Sequence, residues 1–109
     1  MMRVQNFGRI VMVSSELGSL SEMEMAGTLA YRTSKTALNA VTRLLALEIE
    51  DGVDIQINGT CPGWVKTDLG GMDAPRTTEE GADTAIWLAL QDADGPNGAL
   101  FRDREPFPW

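Results

Sequence analysis

The sequence predicts an α/β fold built on a small parallel sheet, and three observations carry that expectation. Residues 9–13 (RIVMV) form a short apolar run without alternation, the mark of a strand covered on both faces. Residues 54–60 (DIQINGT) form a second strand, and two helical stretches alternate with the strands. Strands that alternate with helices pair in parallel through right-handed crossovers.

In chain order, residues 1–8 close a preceding segment and stop at Gly8. After the first strand and Ser14-Ser15, residues 16–29 are rich in Gly, Ser and Met and lack a helical period, so they read as a long loop over a site. From 31 to 50, Ala37, Leu38, Val41, Leu44, Leu45 and Leu47 make an apolar stripe that should face the sheet. Gly52 then ends the helix. Pro62 and Gly63 break the second strand at its carboxyl end. Thr77 and Glu80 have the spacing of a capping box, which starts a helix that runs to about residue 91. A turn cluster at 94–98 leads to a last strand at 99–101, and the Pro-rich tail 106–109 cannot be helical.

A chain of 109 residues suits one domain, and 43% apolar with 23% charged residues is ordinary for a globular protein. The net charge of −7, with no basic cluster, argues against nucleic acid and against an anionic membrane surface. No apolar run approaches the ~20 residues of a bilayer span. Cys61 stands alone and histidine is absent, so an intrachain disulfide, histidine metal sites and Ser-His-Asp chemistry are excluded. No metal is expected, and a cytoplasmic setting is the default.

Tyr31 and Lys35 stand four apart and so share one helix face. A phenol, with an ordinary pKa of about 10, is a poor proton carrier at neutral pH, and a neighbouring ammonium improves it by stabilising the phenolate. The pair is thus a candidate proton-transfer device, with Lys35 also free to hold a hydroxylated ligand. By spacing alone the commoner reading is a boundary tyrosine beside a solvated lysine. Ligands in parallel sheets bind beyond the carboxyl ends of the strands. Ser14-Ser15, Cys61-Pro62-Gly63 and the start of the Tyr31 helix should all meet there.

Taken together, four stretches resemble the short-chain dehydrogenase/reductases, and within them the carbonyl reductase branch. They are GRIVMVSS at 8–15, YRTSKTALN at 31–39, CPGWVKTD at 61–68 and EEGADTA at 79–85, followed by the turn GPNG at 95–98. The resemblance implies the C-terminal part of a Rossmann-like doubly wound parallel sheet, β-α-β-α-β. It implies an NAD(P)-dependent oxidoreductase that moves a hydride between a nicotinamide cofactor, NADP or NAD, and a ketone, aldehyde or alcohol. Matched residue by residue, Ser15 is the serine that hydrogen-bonds the substrate oxygen, with Ser14 as its neighbouring competitor. Tyr31 is the general acid, and Lys35 assists it and binds the nicotinamide ribose. Pro62, Gly63, Val65 and Thr67 form the loop at the nicotinamide end. Trp64, Trp87 and Trp109 read as packing residues, while Met23 and Met25 either line a substrate pocket or fill a gap.

The resemblance also marks what these residues do not contain. The glycine-rich turn that rests a pyrophosphate on a helix N-terminus is absent, and so is the residue that reads the adenosine ribose. Residues 1–109 are therefore expected to be one partial domain, the catalytic half, which depends on a dinucleotide-binding half for activity. The first strand would lose a neighbour in that case, and its open edge invites self-association. The alternative expectation is a non-catalytic α/β module, or an inactive product, that uses the fold for association.

Overall fold

The computed structural model describes all 109 residues. A one-turn helix α1 (Met2–Gln5) ends at Asn6, whose φ of 50° lies in the left-handed region. Strand β1 (Gly8–Val13) leads into a single 3-10 turn at Glu16–Gly18, then helix α2 (Leu29–Leu47) and strand β2 (Ile55–Thr60). Helix α3 (Thr78–Ala89) and the short strands β3 (Leu100–Arg102) and β4 (Glu105–Phe107) complete the chain.

The four strands form one sheet in the order β1-β2-β3-β4. β1 and β2 run parallel, with Gly8 opposite Ile55 and Val13 opposite Thr60. β3 is parallel to β2, and β4 returns antiparallel, with Leu100 opposite Phe107. Both of the longer strands therefore end at one edge. The sheet is parallel at its centre, as expected, and carries an antiparallel outer strand that the tail composition concealed. Pro106 is tolerated there because an outermost strand needs no N–H on its open side.

β2 is buried at all six positions. Ile55 and Ile57 meet Ala46 of α2, with Ile10, Met12, Ile49 and Val53 around them. On β3, Phe101 meets Trp87 of α3 edge to face at 5.3 Å, a favoured aromatic geometry. Asn58 and the Ile57 amide of β2 are satisfied by the turn that precedes β3. Asn58 donates to Pro96 O at 2.7 Å and accepts from Ala99 N, while Ile57 N donates to Asn97 Oδ1 at 2.9 Å. That turn supplies a partner for β2 before β3 begins.

Three expectations need correction. The stretch 16–29 is not all loop, because Ser15 caps the 3-10 turn and α2 starts at Leu29, two residues before Tyr31. α2 also stops at Leu47, before the carboxylates of Glu48, Glu50 and Asp51 could extend it against its own dipole. The third concerns the helix face. α2 buries Asn39, Thr42 and Ala46, whereas Val41 (44%), Leu44 (61%) and Leu47 (63%) are exposed. Periodicity defined two faces correctly and assigned the wrong one to the sheet.

Candidate active site

A cleft of about 530 Å³ opens at the carboxyl edge of the sheet. It is lined by Val13, Ser14 and Ser15 from the end of β1, and by Glu16 and Leu17 of the 3-10 turn. Tyr31 and Lys35 come from α2, Pro62 to Val65 with Thr67, Leu69 and Gly70 from the loop after β2, and Thr78 and Gly81 from α3. Ser15, Tyr31, Lys35, Pro62, Gly63, Val65 and Thr67, the residues matched to the reaction and the cofactor, all stand on this one cleft.

The two helical residues meet as the spacing requires. The Lys35 ammonium lies 5.7 Å from the centroid of the Tyr31 ring, within cation–π range. One of its three N–H groups donates to the carbonyl of Val13 at 3.0 Å, which anchors the amine at the carboxyl end of β1. The other two are available to a ligand. Tyr31 is 40% exposed, so its phenol is accessible from the cleft.

The geometry separates the two serines. Ser14 is buried, and its hydroxyl donates to Asn39 Oδ1 at 2.5 Å. Ser15 is partly exposed, and its oxygen accepts from Leu17 N at 3.1 Å, which closes the 3-10 turn and leaves the hydroxyl proton uncommitted. Of the pair, Ser15 alone can donate into the cleft.

The loop after β2 is held to one shape. Gly63 takes a φ of +79°, and a Cβ there would lie 2.8 Å from Arg76 Cδ, so both backbone and space call for glycine. Lys66 N donates to Arg76 O, Arg76 N donates to Trp64 O, and the Trp64 indole donates to Gly70 O at 2.7 Å. Thr67 accepts from Gly70 N at 3.0 Å, so its hydroxyl shapes the loop. Arg76 pairs with Asp103, just after β3, and Arg102 of β3 pairs with Glu16, so the end of β3 and the turn after it brace the loop and the 3-10 turn. Thr77 and Glu80 form the expected capping box, which starts α3 at the cleft, where Gly81 leaves just enough room for the Val65 side chain.

Sequence reasoning missed several lining residues. Trp64, read as a packing residue, is 56% exposed on the cleft wall beside Leu69. The capping box marked where α3 begins but gave no sign that its first turn meets the cleft. Met23 and Met25 lie elsewhere, over the outer side of α2 with Leu20 and Leu29. Cys61 is buried at the end of β2, and burial pushes its thiol up to about 12, which keeps it out of the chemistry.

The family model described as short chain dehydrogenase matches residues 1–78. The chain belongs to the short chain dehydrogenase family. Its curated relatives include carbonyl reductase [NADPH] 1 of Mus musculus, 40% identical over 85 residues, and carbonyl reductase [NADPH] 3 of Rattus norvegicus, 42% identical over 85 residues. Each alignment takes in 73% of this chain and 31% of the relative, so the matched stretch is about a third of their length. Among solved structures, the carbonyl reductase Sniffer of D. melanogaster superposes with a TM-score of 0.78 at 34% identity, over 91% of this chain and 41% of that one. An NADPH-bound carbonyl reductase from chicken fatty liver gives 0.80 at 26% identity, over 99% and 47%. The sheet and helices described above are thus those of the dehydrogenase fold. No helix of this structure is long and apolar enough to cross a membrane.

Proposed function

We propose that this chain carries the catalytic part of an NADP(H)-dependent oxidoreductase of the carbonyl reductase type, acting on a ketone, an aldehyde or the corresponding alcohol. The observation that carries the reading is the meeting of Ser15, Tyr31 and Lys35 on one cleft at the carboxyl edge of the sheet. The names of the relatives, carbonyl reductase [NADPH], favour NADP over NAD.

The donors present suit the nicotinamide end of such a cofactor. Two free N–H groups of the Lys35 ammonium are matched to a pair of ribose hydroxyls, and Pro62, Gly63 and Val65 offer a rigid, mostly apolar wall for a ring. A bound nicotinamide would supply the hydride. The protein's own residues would do the rest. Ser15 donates its uncommitted proton to the carbonyl oxygen and fixes its position. Tyr31 delivers a proton to the same oxygen as it gains charge, and Lys35, held by Val13 O, stabilises the phenolate that remains. Trp64 and Leu69 form an apolar wall for the body of the substrate.

We also propose that the dinucleotide-binding half lies outside these residues, since the matched stretch is 31% of the relative and no glycine-rich turn occurs here. Contacts to the remote parts of a cofactor supply much of the energy that orients its reactive end. The single buried Cys61 fits a cytoplasmic setting.

One observation favours a second reading, in which the fold serves association. β1 ends the sheet with no strand on its outer side, and α2 shows an apolar face to solvent. NADPH titration followed by protein fluorescence, with NADPH-dependent carbonyl reduction as a second readout, separates the two. Saturable binding, with turnover lost in Tyr31→Phe, supports the oxidoreductase. Absence of binding together with concentration-dependent sedimentation supports the association module.

A further inference from the structure

Asn39 lies one turn beyond Lys35 on α2 and is 4% exposed. Its amide makes two hydrogen bonds to the segment that carries Ser15. Oδ1 accepts from Ser14 Oγ at 2.5 Å, and Nδ2 donates to Gly18 O at 3.2 Å. The Gly18 carbonyl can only accept, so it fixes which way the amide points and therefore which atom meets Ser14. Thr36 Oγ1 also donates to Gly18 O, at 2.9 Å. Gly18 itself sits against the helix backbone, where a Cβ would lie 2.7 Å from the carbonyl carbon of Lys35 and 2.9 Å from Thr36 N.

We infer that Asn39, through Ser14 and Gly18, is a positioning residue that clamps the turn bearing Ser15 onto α2 beside Lys35. The inference rests on the reading of Ser15, Tyr31 and Lys35 as the reacting set. The clamp grips both ends of the short stretch that presents Ser15, and its helical half grips α2 at the residues next to Lys35. The Ser15 hydroxyl therefore keeps a fixed offset from the amine and the phenol of the same helix. General acid chemistry depends on such offsets, because a misplacement of about 1 Å can cost about a hundredfold in rate.

The test combines amide hydrogen exchange on this chain with steady-state kinetics of a form that turns over. In Asn39→Leu, the amides of Gly18 and Ser19, which donate to Ser15 O and Glu16 O, should lose protection at least tenfold. Protection in β2 and around Thr42 should stay within about twofold. The turnover number should fall at least tenfold, with KM for NADPH within twofold. Ser14→Ala, which removes a single oxygen, should give the same pattern more weakly and serves if Asn39→Leu does not fold. Unchanged protection at Gly18 and Ser19, or a uniform loss across the molecule, would overturn the clamp. Turnover that survives Tyr31→Phe would instead overturn the oxidoreductase reading and leave the exchange result standing on its own.

Discussion

Toward the sheet, α2 presents Lys35, Asn39, Thr42 and Ala46; away from it lie Ala37, Val41, Leu44 and Leu47. The inner face is the more polar of the two. Each buried polar group there has a defined partner, because Thr42 donates to Leu38 O at 2.8 Å, Asn39 bridges Ser14 and Gly18, and Lys35 reaches Val13 O. Burial of polar groups without such partners would cost about 1–3 kcal/mol each. The inner face holds a site in place, while Val41, Leu44 and Leu47 of the outer face stand exposed.

That contrast can be sharpened or broken by substitution. The largest effect belongs to Tyr31, where Tyr31→Phe should lower the turnover of an active form by about 10²–10⁴, the usual worth of a general acid. Steady-state kinetics with an aldehyde substrate would measure it, and a loss below tenfold would remove Tyr31 from the reaction.

Cys61 tests how dry the interior is at the sheet edge. Its thiol is pushed up from 9.0 to about 12 by burial, so alkylation by iodoacetamide at pH 8 should be more than a hundredfold slower than for a free cysteine. The folded state holds the proton more tightly than the unfolded one. The contribution to stability is therefore complete below pH 9.0 and is lost as pH rises toward about 12. Denaturant midpoints measured across that window should fall, and a flat profile would contradict the burial.

A smaller effect is expected inside the helix contact. Ala46 lies in the core with Ile55 and Ile57, so Ala46→Leu should overpack it and cost about 1–3 kcal/mol in urea unfolding. The smallest belongs to the outer face. Leu44→Gln should change stability by less than about 0.5 kcal/mol while weakening any self-association seen by sedimentation. Comparable losses at both positions would mean that the outer face is buried in solution.

Most of the site was legible from the sequence because its signals are local. The Tyr31–Lys35 spacing, the breakers Pro62 and Gly63, and the Thr77–Glu80 cap each depend on a few neighbouring residues. What escaped depends on tertiary contact. The stripe from Ala37 to Leu47 looked like a core face, and only the partners of Asn39 and Thr42 reveal that the opposite face is buried. Nothing in its immediate neighbours distinguishes Asn39 from a solvated asparagine. Trp64 reaches the cleft because its indole is tied to Gly70, six residues on. β4 was hidden because Pro106 weakens any strand signal, although pairing to one side is enough for an edge.

The most direct test of the account is an NMR titration of this chain with NADPH, followed at the backbone amides. Saturable shifts should concentrate at Ser15, Tyr31, Lys35 and residues 62–67 and be lost in Lys35→Met. Saturable shifts centred elsewhere would contradict a nicotinamide site at the carboxyl edge of the sheet.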